Sequence, residues 1–263
     1  MVMQPTIQMA ETFSKDRLSP MLRDTPVLRD KVNDKSRNSG NTILQKIFPG
    51  GHVTMVGANS PSSLASRPIR ILLADEIDRY PATAGNEGDP LLLAGKRLAT
   101  FWNKKEVCVS TPTNKETSRI AVEFEHSTQE EWNVPCPACG AFTPLLWANI
   151  VFDRDKLDEI GCTCPACGVV SSETEWKEQY INGKFVAAHP ERKVRGFHLN
   201  ALASLFVDWR EIVEKFLTAN EEKKKGNIEL LKVWTNTEMG ETWEEDGEQI
   251  ETDDLYKRRE KYN

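Results

Sequence analysis

The pentapeptide Cys-Pro-Ala-Cys-Gly occurs twice, at 136–140 and at 164–168, and it constrains the fold of this chain more than any other stretch. A C-x-x-C pair turns tightly at its glycine and aims two thiolates at one point. Two such pairs make a strong four-cysteine zinc signal. Cys136, Cys139, Cys164 and Cys167 are therefore the expected Zn²⁺ ligands. Cys162 precedes the second pair by two residues, but the repeated Pro-Ala-Cys-Gly makes Cys164 and Cys167 the better partners and leaves Cys162 spare. Four sulfurs leave no open position, so the expected role is structural. The module is then a platform for DNA or a partner, or simply a stapled insertion. Zinc would supply folding energy that so short a segment cannot draw from its own core. Five of the six cysteines fall between Cys136 and Cys167, which favours metal over disulfides and a reducing, intracellular compartment. Cys108, within a β-rich run, reads as a buried small hydrophobe.

Around this module the pattern is α/β. "IRILLA" (69–74) is a continuous apolar run, as expected of a strand buried on both faces of a parallel sheet. "DPLLLAGKRLATFW" reads as a helix and "EVCVSTPT" (106–113) as the next strand, so the three form a βαβ unit. Upstream, "MVMQPT" reads as a short strand, and a helix follows with Thr6 as N-cap and Pro20 as its stop. "HVTMVGA" (52–58) is a strand and "NSPSSLASRP" a loop. Residues 23–42 carry Arg23, Arg29, Lys31, Lys35 and Arg37 among interleaved aspartates, and read as a solvated face. "VDWREIVEKFLTANEEKKKG" is an amphipathic helix with Asp208 and Glu211 as a capping box and Gly226 at its end. The expected division is 1–131 for the sheet, 132–172 for the zinc insertion, 173–240 for a helical remainder and 241–263 for a linker.

The chemistry sits at the strand tips. "LLADEID" ends an apolar strand in Asp75 and Glu76. A carboxylate there can hold Mg²⁺ through water, and its neighbour can polarise the water that attacks a γ-phosphate. Asp75 is assigned to the metal and Glu76 to the base. Ser110, Thr111 and Thr113 end the following strand, and ligands of parallel sheets sit at carboxyl ends. A phosphate-cradling loop reads G-x-x-x-x-G-K-[ST]. The nearest stretch, "GDPLLLAGKR", has the wrong spacing and Arg97 where a hydroxyl belongs.

A net charge of -6 excludes a protein that coats nucleic acid with its whole surface, but not one with a local basic groove. No stretch approaches the roughly 18 apolar residues of a membrane span, and the first residues lack a signal peptide's basic start.

With these residues in place, the sequence resembles the large terminase subunit of tailed bacteriophages, of the GpA (lambda-like) type. The matching pieces are "QPT…MAETFSKDRLSPML", "SRPIRILLADEIDRYP", "EGDPLLLAGKRLATF", "VSTPT", the two "CPACG", "GFHLNAL" and "WTNTEMGETWE", in order along nearly the whole chain. The resemblance implies a partial P-loop NTPase sheet of the ASCE, helicase-like kind with an inserted Cys₄ zinc ribbon. It implies an ATP-driven motor that moves double-stranded DNA into a procapsid, and an endonuclease elsewhere in the parent protein. Asp75 and Glu76 match its Walker B acids, and Ser110, Thr111 and Thr113 its coupling motif. Gln4 and Thr6 fall in a segment placed near DNA or nucleotide, and Arg97 in a helix facing the nucleotide. ATP, Mg²⁺, the small terminase subunit, the portal, a homo-oligomeric ring and the cytoplasm of the infected host follow from the same resemblance. The Walker A loop is expected upstream of Met1 and the nuclease domain beyond Asn263, so the chain alone is expected not to turn over ATP. Two readings compete: a zinc-ribbon binding module on a degenerate NTPase scaffold, and another helicase-like ATPase.

Overall fold

In the computed structural model, which describes residues 1–32, 40–65 and 67–244, the first residues form the middle of a sheet. Strand β1 (Val2–Gln4) is buried throughout. Helix α1 (Ile7–Phe13) follows, and Thr6 caps it, its hydroxyl accepting from the Met9 amide at 3.2 Å. Pro20 does not stop the helical run. A π-helical turn over Ser14–Leu18 intervenes, and Pro20 falls in the first turn of α2 (Ser19–Asp24). A first-turn residue needs no N–H partner, so proline is tolerated there. A short α3 (Pro26–Arg29) follows. Lys35 and Arg37 of the polar stretch lie outside the described residues, as does the tail from 245.

Strand β2 (Gln45–Phe48) pairs antiparallel with β3 (Gly51–Gly57), and β3 pairs in parallel with β1. The segment read as a loop holds a short helix, α4 (Pro61–Ala65), with proline in its first turn. Strand β4 (Ile71–Asp75) lies on the other side of β1, also parallel. Helix α5 (Pro90–Gly95) crosses over, capped by Asp89, whose carboxylate accepts from Leu91 and Leu92 at 2.9 and 3.0 Å. Strand β5 (Lys105–Val109) then pairs parallel with β4. The order is β2-β3-β1-β4-β5, a mixed α/β arrangement containing the expected βαβ unit. One expectation is corrected. β4 is not covered on both faces: Leu72 is fully buried, but Leu73 is 42% exposed beside half-exposed Val107 and Val109 of β5. Among the described residues nothing packs over that face.

Helix α6 (Arg119–Glu125), capped by Ser118, leads into the second half. There β6 (Glu130–Pro135) pairs with β7 (Phe142–Pro144). Strands β8 (Ile150–Asp153), β9 (Lys156–Thr163) and β10 (Val170–Ser172) form an antiparallel sheet of their own. Helix α7 (Glu173–Glu178) opens with a capping box between Ser172 and Glu175. β11 (Lys184–Ala187) and β12 (Phe197–His198) complete the β6 sheet. Helix α8 (Trp209–Lys224) buries Trp209, Ile212 and Val213, as its periodicity predicts. Its capping differs from expectation. Asp208 makes no cap bond, and the Trp209 amide donates instead to Glu173 at 2.8 Å. A carboxylate brought by the tertiary fold thus satisfies the first helical amide, while the local acid makes no cap. Helix α9 (Glu229–Trp234) packs on α8, and Trp147, Phe216 and Trp234 meet with ring centroids 4.7–4.9 Å apart.

The start of β6 is tied to Arg195 by Glu130, whose side chain is 6% exposed and accepts both arms of the guanidinium at 2.7 Å. Arg195 holds the Glu130 carboxyl below its ordinary range, burial opposing and the Thr128 hydroxyl assisting. A lowered folded pKa gives stability that is full above the unfolded value of about 4.3 and is lost as pH falls through the folded value. The urea midpoint of the native chain should therefore fall more steeply below about pH 4 than that of Glu130→Gln. Parallel curves would remove Glu130 from the acid response.

Candidate nucleotide site and metal centre

β4 delivers Asp75 as its last residue, and Glu76 leaves the strand in the left-handed region, φ 57 and ψ 47. A non-glycine residue there is strained by about 1 kcal/mol or more, and such strain clusters at functional sites. The bend turns Glu76 out of the strand line and starts a 3-10 turn over Ile77–Arg79. One Glu76 carboxylate oxygen lies 3.2 Å from Arg79 Nε, yet it is buried and accepts no hydrogen bond. Asp75 is held from the neighbouring strand: the buried Gln4 amide donates to its Oδ2 at 2.9 Å. Tyr80 donates to the Met3 carbonyl at 2.9 Å, tying the turn to β1. Burial raises that phenol well above its ordinary range.

The residue that organises this corner is Asp78, to which the sequence alone assigns no role. Its carboxylate accepts from Thr113 N and Thr113 Oγ1, both at 2.9 Å, and from Ile120 N at 2.8 Å. Its own amide donates to Ser110 Oγ at 3.2 Å. The acidic turn after β4 is thus bonded to the hydroxyl tip after β5 and to the start of α6. Ser110 also donates to the Thr111 carbonyl at 3.0 Å. The Thr113 carbonyl accepts from Asn236 at 3.0 Å and from the Trp243 amide at 2.9 Å. Charged hydrogen bonds contribute about 1.5–3 kcal/mol each, and they are not additive. Asp78→Ala should cost about 2–4 kcal/mol in urea unfolding. A loss under about 0.5 kcal/mol, the range of ordinary surface substitutions, would show that water replaces the carboxylate.

The structure thus brings Asp75, Glu76, Gln4, Ser110 and Thr113 to one end of the sheet. Thr6 starts α1 nearby, its hydroxyl engaged in the cap. Arg97 lies elsewhere. Its carbonyl accepts from Ile69 at the opposite end of β4, and its guanidinium donates to Ala65 O at 3.3 Å. Six residues at about 3.3 Å each separate Ile69 from Asp75, roughly 20 Å.

The two cysteine turns are local copies of each other. Gly140 and Gly168 take φ of 73° and 75°, and their amides donate to the Cys136 and Cys164 carbonyls at 2.9 and 2.8 Å. The sulfurs of Cys136, Cys139, Cys164 and Cys167 all lie within 4.8 Å of one another, with Cys136–Cys167 and Cys139–Cys164 at 3.9 Å. Sulfurs around a tetrahedral zinc at about 2.3 Å are about 3.8 Å apart, so these four fit that ion. Burial works to raise the Cys164 thiol, but the amides of Cys167 and Ala166 and the thiols of Cys136 and Cys167 outweigh it and bring it down to about 7. Cys162, outside the quartet, is pushed up to about 12 by burial and then by Cys164 and Cys136. Cys108, half-buried in β5, is likewise raised to about 12 by burial.

A parallel strand ending in paired acids, bonded to a second strand tipped with hydroxyls, marks an α/β domain of the ATPase kind. The chain belongs to the phage terminase large subunit gpA family: the model of its ATPase domain matches residues 1–185, and the model of its endonuclease domain matches 194–263. The second match corrects one expectation: similarity to the endonuclease domain begins at 194, within the stretch read as a helical remainder and linker, rather than beyond Asn263. The chain is 25% identical over 272 residues to the terminase large subunit of Enterobacteria phage P21, covering 93% of this chain and 41% of that protein. It is 26% identical over 290 residues to the terminase large subunit of Escherichia phage lambda, covering 98% and 44%. The chain therefore spans less than half the length of these curated relatives. No solved structure matches it.

Proposed function

We propose that this chain forms part of a DNA-packaging motor, an ATP hydrolase that drives double-stranded DNA into a procapsid, with an endonuclease in the same parent protein. The observation that carries the reading is the pair at the end of β4: Asp75 fixed by Gln4, and Glu76 strained, with a buried carboxylate oxygen that accepts no hydrogen bond. In this reading Asp75 holds Mg²⁺ through water, the ion supplying charge neutralisation for the γ-phosphate of ATP. Glu76 orients the attacking water and takes its proton. Ser110, Thr111 and Thr113 respond to the phosphate, and Asp78 transmits their position to the acidic turn and to α6. Gln4 acts by orienting Asp75, and Thr6 by starting the helix beside it. Arg97 has no role in hydrolysis.

Cys136, Cys139, Cys164 and Cys167 hold a structural Zn²⁺, which joins the β6–β7 hairpin to the β8–β10 sheet. The sheet of residues 1–131 then acts as the nucleotide-facing part, with 132–172 as its zinc-stapled insertion. The partners in this reading are DNA, the small terminase subunit, the portal of the procapsid and further copies of the motor subunit, in the cytoplasm of the infected host. No helix among the described residues is long and apolar enough to cross a membrane. ATP turnover by the assembled motor carrying Glu76→Gln tests the reading.

A further inference from the structure

Residues 58–74 and 90–105 contain no Asp or Glu, in a chain whose net charge is -6. Between them they carry Arg67, Arg70, Lys96, Arg97, Lys104 and Lys105. The fold draws the two stretches together at the amino-terminal ends of β4 and β5. Ile69 donates to the Arg97 carbonyl at 3.1 Å, Lys105 donates to the Arg70 carbonyl at 3.0 Å, and Ile71 sits in register with Lys105. This is the end of the sheet away from Asp75 and Glu76.

Elsewhere many cations of the chain face acids: Arg119 faces Asp89, Arg195 Glu130, Arg210 Asp158 and Glu214, Lys215 Glu211 and Glu238. At this end none of the six pairs with an acid among the described residues. Among the described residues, the Arg67 guanidinium donates to the Gln45 side-chain carbonyl, at 3.4 Å. Arg97 donates to the Ala65 carbonyl, and its buried Nε meets no acceptor among them. Arg67, Lys96, Arg97 and Thr100 line an open cavity of about 110 Å³. Between Arg97 and Lys104 stands Trp102, 95% exposed. An indole left in water beside unpaired cations has no packing role. It offers a face on which a base can stack. Glu106, the nearest acid in sequence, sets its carboxylate beside Gly95. Burial raises its pKa and Lys104 opposes that, without forming an ion pair.

We propose that this end of the sheet is a DNA contact surface. The cations neutralise backbone phosphates, and Trp102 stacks on, or wedges against, the bases. Clustered unpaired cations with an exposed aromatic are the footprint of nucleic-acid binding on an otherwise acidic protein. The charge distribution stands by itself. Only the choice of DNA as the polymer rests on the packaging reading. β4 runs from Ile71, the residue after Arg70 at this end, to Asp75 at the nucleotide end.

The test is fluorescence anisotropy of the full chain with a labelled DNA duplex and with the matching single strand, across a salt series. The double reversal Arg67→Glu/Lys96→Glu should weaken binding about tenfold or more at low salt and flatten the slope of log K against log salt by about 2. Lys104→Glu/Lys105→Glu should do the same, and it keeps the test alive if the first pair disturbs α5. Trp102→Ala should weaken the single strand more than the duplex if the ring stacks on unpaired bases, and both alike if it wedges. Circular dichroism and the thermal midpoint verify that each variant is folded. Lys224→Glu/Lys225→Glu at the carboxyl end of α8 makes the same charge change far along the chain and should leave affinity within about twofold. The surface is overturned if the folded native chain binds neither DNA at low salt. It is also overturned if both reversals bind as the native chain does, or if the α8 control loses as much as they do. None of these readouts depends on ATP turnover, so the surface and the hydrolysis site can fail separately.

Discussion

The purified chain should contain one zinc per molecule, and Cys164→Ser should remove it and melt the segment from Cys136 to Ser172. Four sulfurs already at tetrahedral spacing need little rearrangement to accept the ion. Binding of structural zinc by such sites is worth on the order of 10–16 kcal/mol, as much as the whole stability of a typical domain. The loss would not stay local. Val134, Cys136, Cys162 and Cys164 share one core with Trp176, Trp209 and Trp234. Trp176 is 1% exposed and its indole donates to the Cys162 carbonyl at 3.2 Å. Its emission should therefore move to the red when the metal leaves. Cys162→Ala should keep the zinc, because its sulfur stands outside the quartet. Full zinc content in Cys164→Ser, or a native chain with no metal and no response to a chelator, would sink the assignment.

Glu76→Gln in the assembled motor should lower ATP turnover by about 10²–10⁴, the range for losing a general base, while ATP binding persists. The amide keeps the size and the left-handed turn of Glu76 but cannot take a proton. Asp75→Asn should act differently, weakening the dependence on Mg²⁺ more than the chemical step at saturating metal. No stretch of these 263 residues reads G-x-x-x-x-G-K-[ST]. The chain by itself supplies the acids without that cradle, and its turnover should stay at background. Turnover by the chain alone that Glu76→Gln abolishes would refute that expectation. Unchanged turnover in the motor would refute the role of Glu76.

What could be read in advance was whatever depends on nearby residues. The run 69–74, the helix after Asp89 and the run after Lys105 announce a βαβ unit because periodicity is local. The doubled Cys-Pro-Ala-Cys-Gly announces its ligands because each turn closes on itself. What escaped depends on distant partners. Asp78 looks like any loop acid until Thr113 and Ile120, 35 and 42 residues on, are folded against it. Gln4 reveals its hold on Asp75 only once β1 sits beside β4. Asp208 and Glu211 have the spacing of a cap, but Glu173 arrives from another helix and takes the amide. The exposed face of Leu73 was misread because an apolar run does not say how many of its faces find cover.

The carbonyl of Thr113 accepts from Asn236 and Trp243, across 123 residues or more. It therefore joins two segments that sequence families treat as separate, since the ATPase match ends at 185 and the endonuclease match begins at 194. A boundary between gene families is not a seam in the folded molecule. The first segment without the second would lose Phe216 and Trp234 from Trp147 and the tether at the exit of β5. Heating should accordingly give one calorimetric transition rather than two, and a protease nick near residue 190 should leave fragments that still travel together on a gel-filtration column.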